Sequence, residues 1–252
     1  MMYPSWFRGS AVGRRILVEK SVVRTSWPVR LAVLAALLVF LALTGRFWLL
    51  AVSHSLVHRS ELRPADAIIV ENLETEYLLY ERASRLQREG LAPRVIIPIL
   101  APPEDLVHPE GSVLVGLAGV MIRVSRLRDP ELVTLRELEP ISLNAARQLL
   151  EYVRTNGAEG GEKGEGALPP KDPAHDDPRP PVRSVLVVTS GFRSERTYEI
   201  YRSVFGSAGI EVQVDPVFAL RNPDNWLHST HGFQEVGLQF GKLWYYRLFV
   251  LR

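Results

Sequence analysis

The segment RSVLVVTSGFRSERTYEIYRSVFGSAGI, Arg183 to Ile210, carries the fold of the whole chain. A valine-rich run, Val185 to Val188, ends in Thr189-Ser190-Gly191, and a helical pattern starts at Arg193 or Ser194. An apolar run closed by turn residues and followed by a helical period predicts a buried strand, a tight turn and a helix. The run is continuous rather than alternating, so both of its faces need cover, which suits a parallel sheet between helices. The expected fold is α/β: a Rossmann-like three-layer sandwich around a mostly parallel five-stranded sheet. Ligands of such sheets lie beyond the carboxyl ends of the strands. That places the turn Thr189-Ser190-Gly191-Phe192-Arg193 at the mouth of the expected site. Two hydroxyls, the backbone N–H groups of a helix start and the guanidinium groups of Arg193 and Arg196 there favour an anion, and two arginines favour a dianionic one.

Working outward, Ala65–Val70 (ADAIIV) after Pro64 reads as the first strand, with Glu71 and Asn72 at its carboxyl end. Leu73–Glu89 has a helical period and is stopped by Gly90. Arg94–Leu100 is a second strand in which Pro98 limits pairing. Gly111–Leu127 is apolar, but only about a dozen residues precede Arg123, too few to cross a bilayer. A buried helix is expected there. Leu132–Leu135 supplies a third strand, and a helix through Val153 follows with Ser142 as its N-cap. Residues 155–181 are rich in Gly, Glu, Lys, Pro and Asp and read as a disordered insertion. His175 with Asp172, Asp176 and Asp177 lies inside it and lacks the preorganisation a metal site needs, so no metal is assigned. Ile210–Val214 alternates and forms a further strand toward the sheet edge.

With 252 residues, 46% of them hydrophobic, the chain can bury a sizeable core. A formal charge of +2 gives no case for nucleic acid, and the absence of cysteine excludes disulfides and thiolate chemistry. The charge is unevenly placed. Arg8, Arg14, Arg15, Lys20, Arg24 and Arg30 precede an apolar stretch, against the single acid Glu19. Every residue from Leu31 to Leu43 is apolar, Thr44-Gly45-Arg46 interrupts, and Phe47–Val52 resumes. One transmembrane helix is expected over residues 29–52, with Arg30 and Arg46 snorkelling and Trp27 and Trp48 at the two interfaces. The positive-inside rule leaves residues 1–28 as a basic cytoplasmic tail and puts the α/β domain, residues 60–252, outside.

VLVVTSGFRSERT, together with LRPADAIIV at Leu62–Val70, resembles the strand-turn-helix and first-strand blocks of the SanA/YdcF/ElyC-like family of bacterial envelope proteins. Arg193 stands where that family frequently has His, and Arg196 keeps its later Arg. The block Glu139-Pro140-Ile141-Ser142-Leu143-Asn144 is similar to the family's Glu-x-x-Ser-x-Asn-Thr-x-Glu-Asn motif. Ala145, Arg147 and Gln148 replace its last three polar positions. A closing segment with Trp226, His231, Gly232, Glu235 and Lys242 also matches the family's pattern. Glycine-rich turns that the family carries after its first two strands are replaced by Glu71-Asn72 and by Ala101-Pro102-Pro103-Glu104-Asp105.

The resemblance implies an inner-membrane protein whose extracytoplasmic domain binds, and in active members processes, a phosphorylated lipid-linked or peptidoglycan-related intermediate such as an undecaprenyl-phosphate carrier. Expected ligand contacts are Asn72, Thr189, Ser190, Phe192, Arg193, Arg196, Trp226, His231 and Glu235, with Ser142 and Asn144 across the crevice. Glu71 or Glu139 would be the base of any phosphate-ester hydrolysis or transfer. Two alternatives stay open: a non-catalytic envelope scaffold or binding protein, and a nucleotide or S-adenosylmethionine-type ligand binder. The cofactor is unknown from sequence.

Overall fold

The computed structural model describes residues 26–71, 76–101, 113–155 and 181–252. The chain divides into two compact units, Met1–Trp48 and Leu49–Arg252. In the second unit, strands β1 (Ala67–Val70), β2 (Arg94–Ala101), β3 (Glu131–Arg136), β4 (Ser184–Ser190) and β5 (Glu211–Val217) form one sheet in the order β3-β2-β1-β4-β5. All four neighbouring pairs are parallel, so the sheet is wholly rather than mostly parallel. The fold is α/β and Rossmann-like. Strand order reverses between β1 and β4, which register as Ile69↔Val187 and Val70↔Val188.

Helix α1 (Trp27–Ser55) opens the described chain, followed by α2 (Tyr77–Arg88), α3 (Val113–Ser125), α4 (Ile141–Thr155), α5 (Ser194–Phe205) and α6 (Thr230–Tyr245). The continuous apolar run of β4 is explained by its two faces. Val185 and Val187 pack with Leu149 of α4 and Ile200, Tyr201 and Phe205 of α5. Leu186 and Val188 pack with Leu79, Tyr80, Ala83 and Leu86 of α2 on the other side. Each such fully buried aliphatic side chain contributes about 1.5–3 kcal/mol. Helix α2 stops where expected, with Gly90 at φ 76°. Pro98 is accommodated because the β1–β2 pairing ends at Ile69↔Ile96, so its missing donor costs no bond to β1.

Three expectations change. Helix α3 is not buried: only Ala118 and Ser125 are, while Val113, Leu117, Val120 and Val124 form an exposed stripe. Its nearly unbroken apolar sequence has no polar face to reveal which side meets solvent. Helix α4 begins at Ile141, so Ser142 lies inside its first turn and is not the cap. Among the described residues, no single helix is long and apolar enough to cross a membrane. The arms Trp27–Leu41 and Leu43–Ser55, bent by 50°, meet the length and composition together. Beside the break the Thr44 hydroxyl donates to the Phe40 carbonyl at 2.7 Å, a back-bond that bends helices. Of the expected insertion, residues 155–181, positions 156–180 lie outside the described residues, and Thr155 is the last residue of α4.

The residues between α1 and β1 run beside the edge strand β5. Ser60 N–H donates to the Val214 carbonyl at 3.0 Å, and the Ser60 hydroxyl accepts from Val214 N–H at 2.9 Å. Arg63 N–H donates to the Gln213 side-chain carbonyl at 2.8 Å.

At the amino end of the sheet, one carboxylate oxygen of Asp66 accepts from Arg183 N–H, Ser184 N–H and the Ser184 hydroxyl at 2.7, 2.8 and 2.9 Å. Burial pushes this carboxyl up, but those three bonds and the Arg183 charge outweigh it and hold it below its ordinary value. A lowered folded-state pKa gives stability that is present above the unfolded value, about 3.9, and is lost as pH falls through the folded one. Asp66→Asn is therefore expected to cost stability at neutral pH and to flatten the acid limb below about pH 4, read as unfolding midpoint against pH. An acid limb as steep as the wild type's would show that other carboxylates set it.

Candidate ligand site at the carboxyl ends of the strands

Strand β4 hands over to α5 through the 3₁₀ turn Gly191–Arg193. Gly191 lets the Phe218 ring lie against this turn: a Cβ there would come 2.1 Å from the ring and displace it. The anion cradle expected here is occupied by the protein itself. The Thr189 hydroxyl is fully buried and donates to the Glu71 carboxylate, and the Thr197 hydroxyl donates to the same oxygen at 2.7 Å. Glu71, 4% exposed, thus fills the point where strand order reverses. Nearby Tyr201 is pushed well above its ordinary pKa by burial and, secondarily, by the Glu71 charge, and stays a neutral phenol.

The helix start is covered as well. Glu195 N–H donates to the Leu56 carbonyl at 3.1 Å, and the Ser194 hydroxyl accepts from His58 N–H at 2.9 Å and donates to the Gly191 carbonyl at 2.6 Å. The segment following α1 therefore sits where a phosphate was expected. Arg196 is buried, its guanidinium carbon 5.6 Å from the centre of the Tyr246 ring, while Arg193 is half-buried.

The other expected contacts are dispersed. Phe192 and Trp226 are buried with Leu56, Val236 and Leu243 in a separate apolar cluster. Gly232 belongs to the same corner, since a Cβ there would meet the Trp226 carbonyl oxygen at 2.2 Å. Glu235 is held by Arg221 at 3.0 Å, and His231 and Glu139 are exposed. Ser142 is buried in α4, and the Asn144 amide donates to the Leu138 and Glu139 carbonyls at 3.3 and 2.8 Å, bracing the chain before that helix. Ser190 is half-buried at the end of β4, and Asn72 lies outside the described residues.

An open cleft of about 480 Å³ lies beside the turn, on its α2 side. Its walls are Arg59, Ser60 and Leu62 from the segment after α1, Arg82 of α2, and Asp215–Phe218 of β5. Phe218 forms the partition, packing edge-on against Phe192 at 5.8 Å. Arg82 Nε donates to Asp215 Oδ2 at 2.6 Å, which compensates the buried acid and fixes the guanidinium at the cleft wall. With Arg59 exposed at the rim, the lining carries two cations against one acid. Sequence reasoning missed both arginines. A buried acid on an edge strand implies a cation facing it, and Arg82 flanks the apolar stripe Leu79, Ala83, Leu86 of α2. For Arg59 there was no signal.

Among the described residues, no three or more His, Asp or Glu side chains are grouped to hold a metal ion. The chain matches no family model, no curated protein and no solved structure.

Proposed function

We propose that this chain is a membrane-anchored cell-envelope protein that binds the phosphate of a lipid-linked or peptidoglycan-related intermediate without transforming it. The observation that carries the reading is the cleft beside β5, where Arg59 and Arg82 outnumber Asp215 and Ser60 offers a hydroxyl. Its net positive charge favours an anion, and a guanidinium fixed by an ion pair loses little freedom on binding one. Arg59 lies four residues beyond the last residue of α1, Ser55, so the cleft is tied by a short tether to the apolar helix and suits a ligand held in the bilayer. The resemblance of the Val185–Arg196 and Leu62–Val70 blocks to SanA/YdcF/ElyC-like proteins supports the same ligand class. In this reading α1, entered from the basic tail, spans the inner membrane as a bent helix and leaves the α/β domain on the outer side. Non-catalytic binding is favoured over hydrolysis or transfer because Glu71, the expected base, is enclosed by Thr189 and Thr197.

The full chain in detergent should bind undecaprenyl phosphate or a short-chain isoprenyl phosphate, measured by isothermal titration. Arg59→Glu, an exposed change, should weaken that binding about tenfold or more, roughly 1.4 kcal/mol. Arg193→Ala should leave it within about twofold, a change of roughly 0.4 kcal/mol. The reverse pattern would return the ligand to the turn, and no binding by the unaltered chain would remove the reading.

A further inference from the structure

We infer that the outward face of α6, continued into the turn Tyr246–Val250, lies on the membrane surface with lipid as its partner, and so sets the height of the α/β domain above the bilayer. The inward face of α6 is accounted for by Val236, Leu243 and Tyr246, which are buried. A helix of a water-facing domain presents polar residues on its other side. This one presents Phe233, Leu238, Trp244, Tyr245, Leu248 and Phe249 with the exposed amide of Gln234 among them, Phe249 being 74% and Phe233 58% exposed. Helical spacing brings them to one broad side, together with Gly237 and Gly241, which have nothing near their Cβ positions. Lys242 and His231 are exposed toward one margin of that side.

Location selects lipid over another protein. The buried face of α6 packs in one cluster with Leu56 and Val52, the final residues of α1 and its exit. Val52 lies three residues before the last residue of α1, Ser55, and Leu56 one residue after it, so α6 is fastened to the carboxyl end of that helix. Trp and Tyr with a flanking Lys are the side chains that settle at the boundary between headgroups and acyl chains. Sixteen residues of α6 cover about 24 Å along that boundary.

The inference rests on the anchored reading above, and one experiment separates the two. The chain has no cysteine, so a single introduced thiol reports one place. The full chain is reconstituted in vesicles of phosphatidylethanolamine and phosphatidylglycerol and nitroxide-labelled at Leu38→Cys, Phe249→Cys, Leu238→Cys or Glu211→Cys. Collision with oxygen, which enters lipid, is compared with collision with a water-soluble nickel chelate. Oxygen should dominate at positions 38, 238 and 249 and nickel at 211. Nickel dominance at 238 and 249 with oxygen dominance at 38 overturns the surface contact and keeps the anchor. Oxygen dominance at 238 and 249 with nickel dominance at 38 keeps the surface contact and removes the span. Labels at 238 and 249 that are immobilised and reached by neither reagent show that protein covers the face, which overturns the inference.

Discussion

Truncating Trp226 to alanine is expected to lower the unfolding midpoint of the full chain by roughly 10 °C. Trp226 is 1% exposed and is the largest fully buried side chain among the described residues. Loss of such an aromatic removes its transfer free energy and leaves a cavity, together about 3–5 kcal/mol. For a domain of this size each kcal/mol moves the midpoint by about 2–4 °C. The corner cannot readily collapse onto the cavity, because the Trp226 carbonyl already blocks Gly232 and the indole stacks on Phe233 at 6.0 Å. The indole Nε1 makes no hydrogen bond among the described residues, so Trp226→Phe loses only packing and should cost about 1 kcal/mol. Circular dichroism against temperature reads both. A shift below about 2 °C for the alanine variant would mean that this cluster does not hold the corner together.

The second large effect is expected at Glu71, where two substitutions separate a brace from a base. Glu71→Ala leaves the Thr189 and Thr197 hydroxyls buried without their acceptor. Each orphaned group costs about 1–3 kcal/mol, so the loss should reach several kcal/mol. The two hydroxyls stand 3.4 Å apart and can recover part of that by bonding each other. Glu71→Gln keeps an oxygen able to accept both bonds and should cost about 1 kcal/mol or less, with isoprenyl phosphate binding unchanged. Midpoints and titrations on the same samples decide it. Should Glu71→Gln keep the fold yet abolish phosphate-ester turnover found in the unaltered chain, Glu71 is a base and the non-catalytic reading is wrong.

Chain order and layer structure were legible because the strands are fully buried. Continuous runs such as Val185–Val188 and Ile68–Val70 have no solvent face, and turn residues bound them sharply. The site was less legible. Arg196 shares its side of α5 with Ile200 and Val204, four and eight residues on, and that period already points it inward. A cationic character read from composition alone hid this. Glu71 and Thr197 meet across 126 positions, and the segment Leu56–His58 meets the start of α5 from far upstream. Neither closure leaves a local signature. The cleft is likewise assembled from three distant pieces, and Asp215 falls just past the expected strand Ile210–Val214, because β5 runs on to Val217.

The pairing of Ser60 with Val214 bears on how this protein can be handled. β5 ends the sheet, and a terminal strand with open N–H and C=O groups is a template for a second chain. Ser60 occupies part of that template from within the same molecule, and Arg63 N–H holds the adjoining Gln213 side chain. A version shortened to begin at Leu62 would lose the Ser60 pairing as well as α1. It would carry a partly bare edge into solution, where self-association through β5, rather than solubility, is the outcome to plan for.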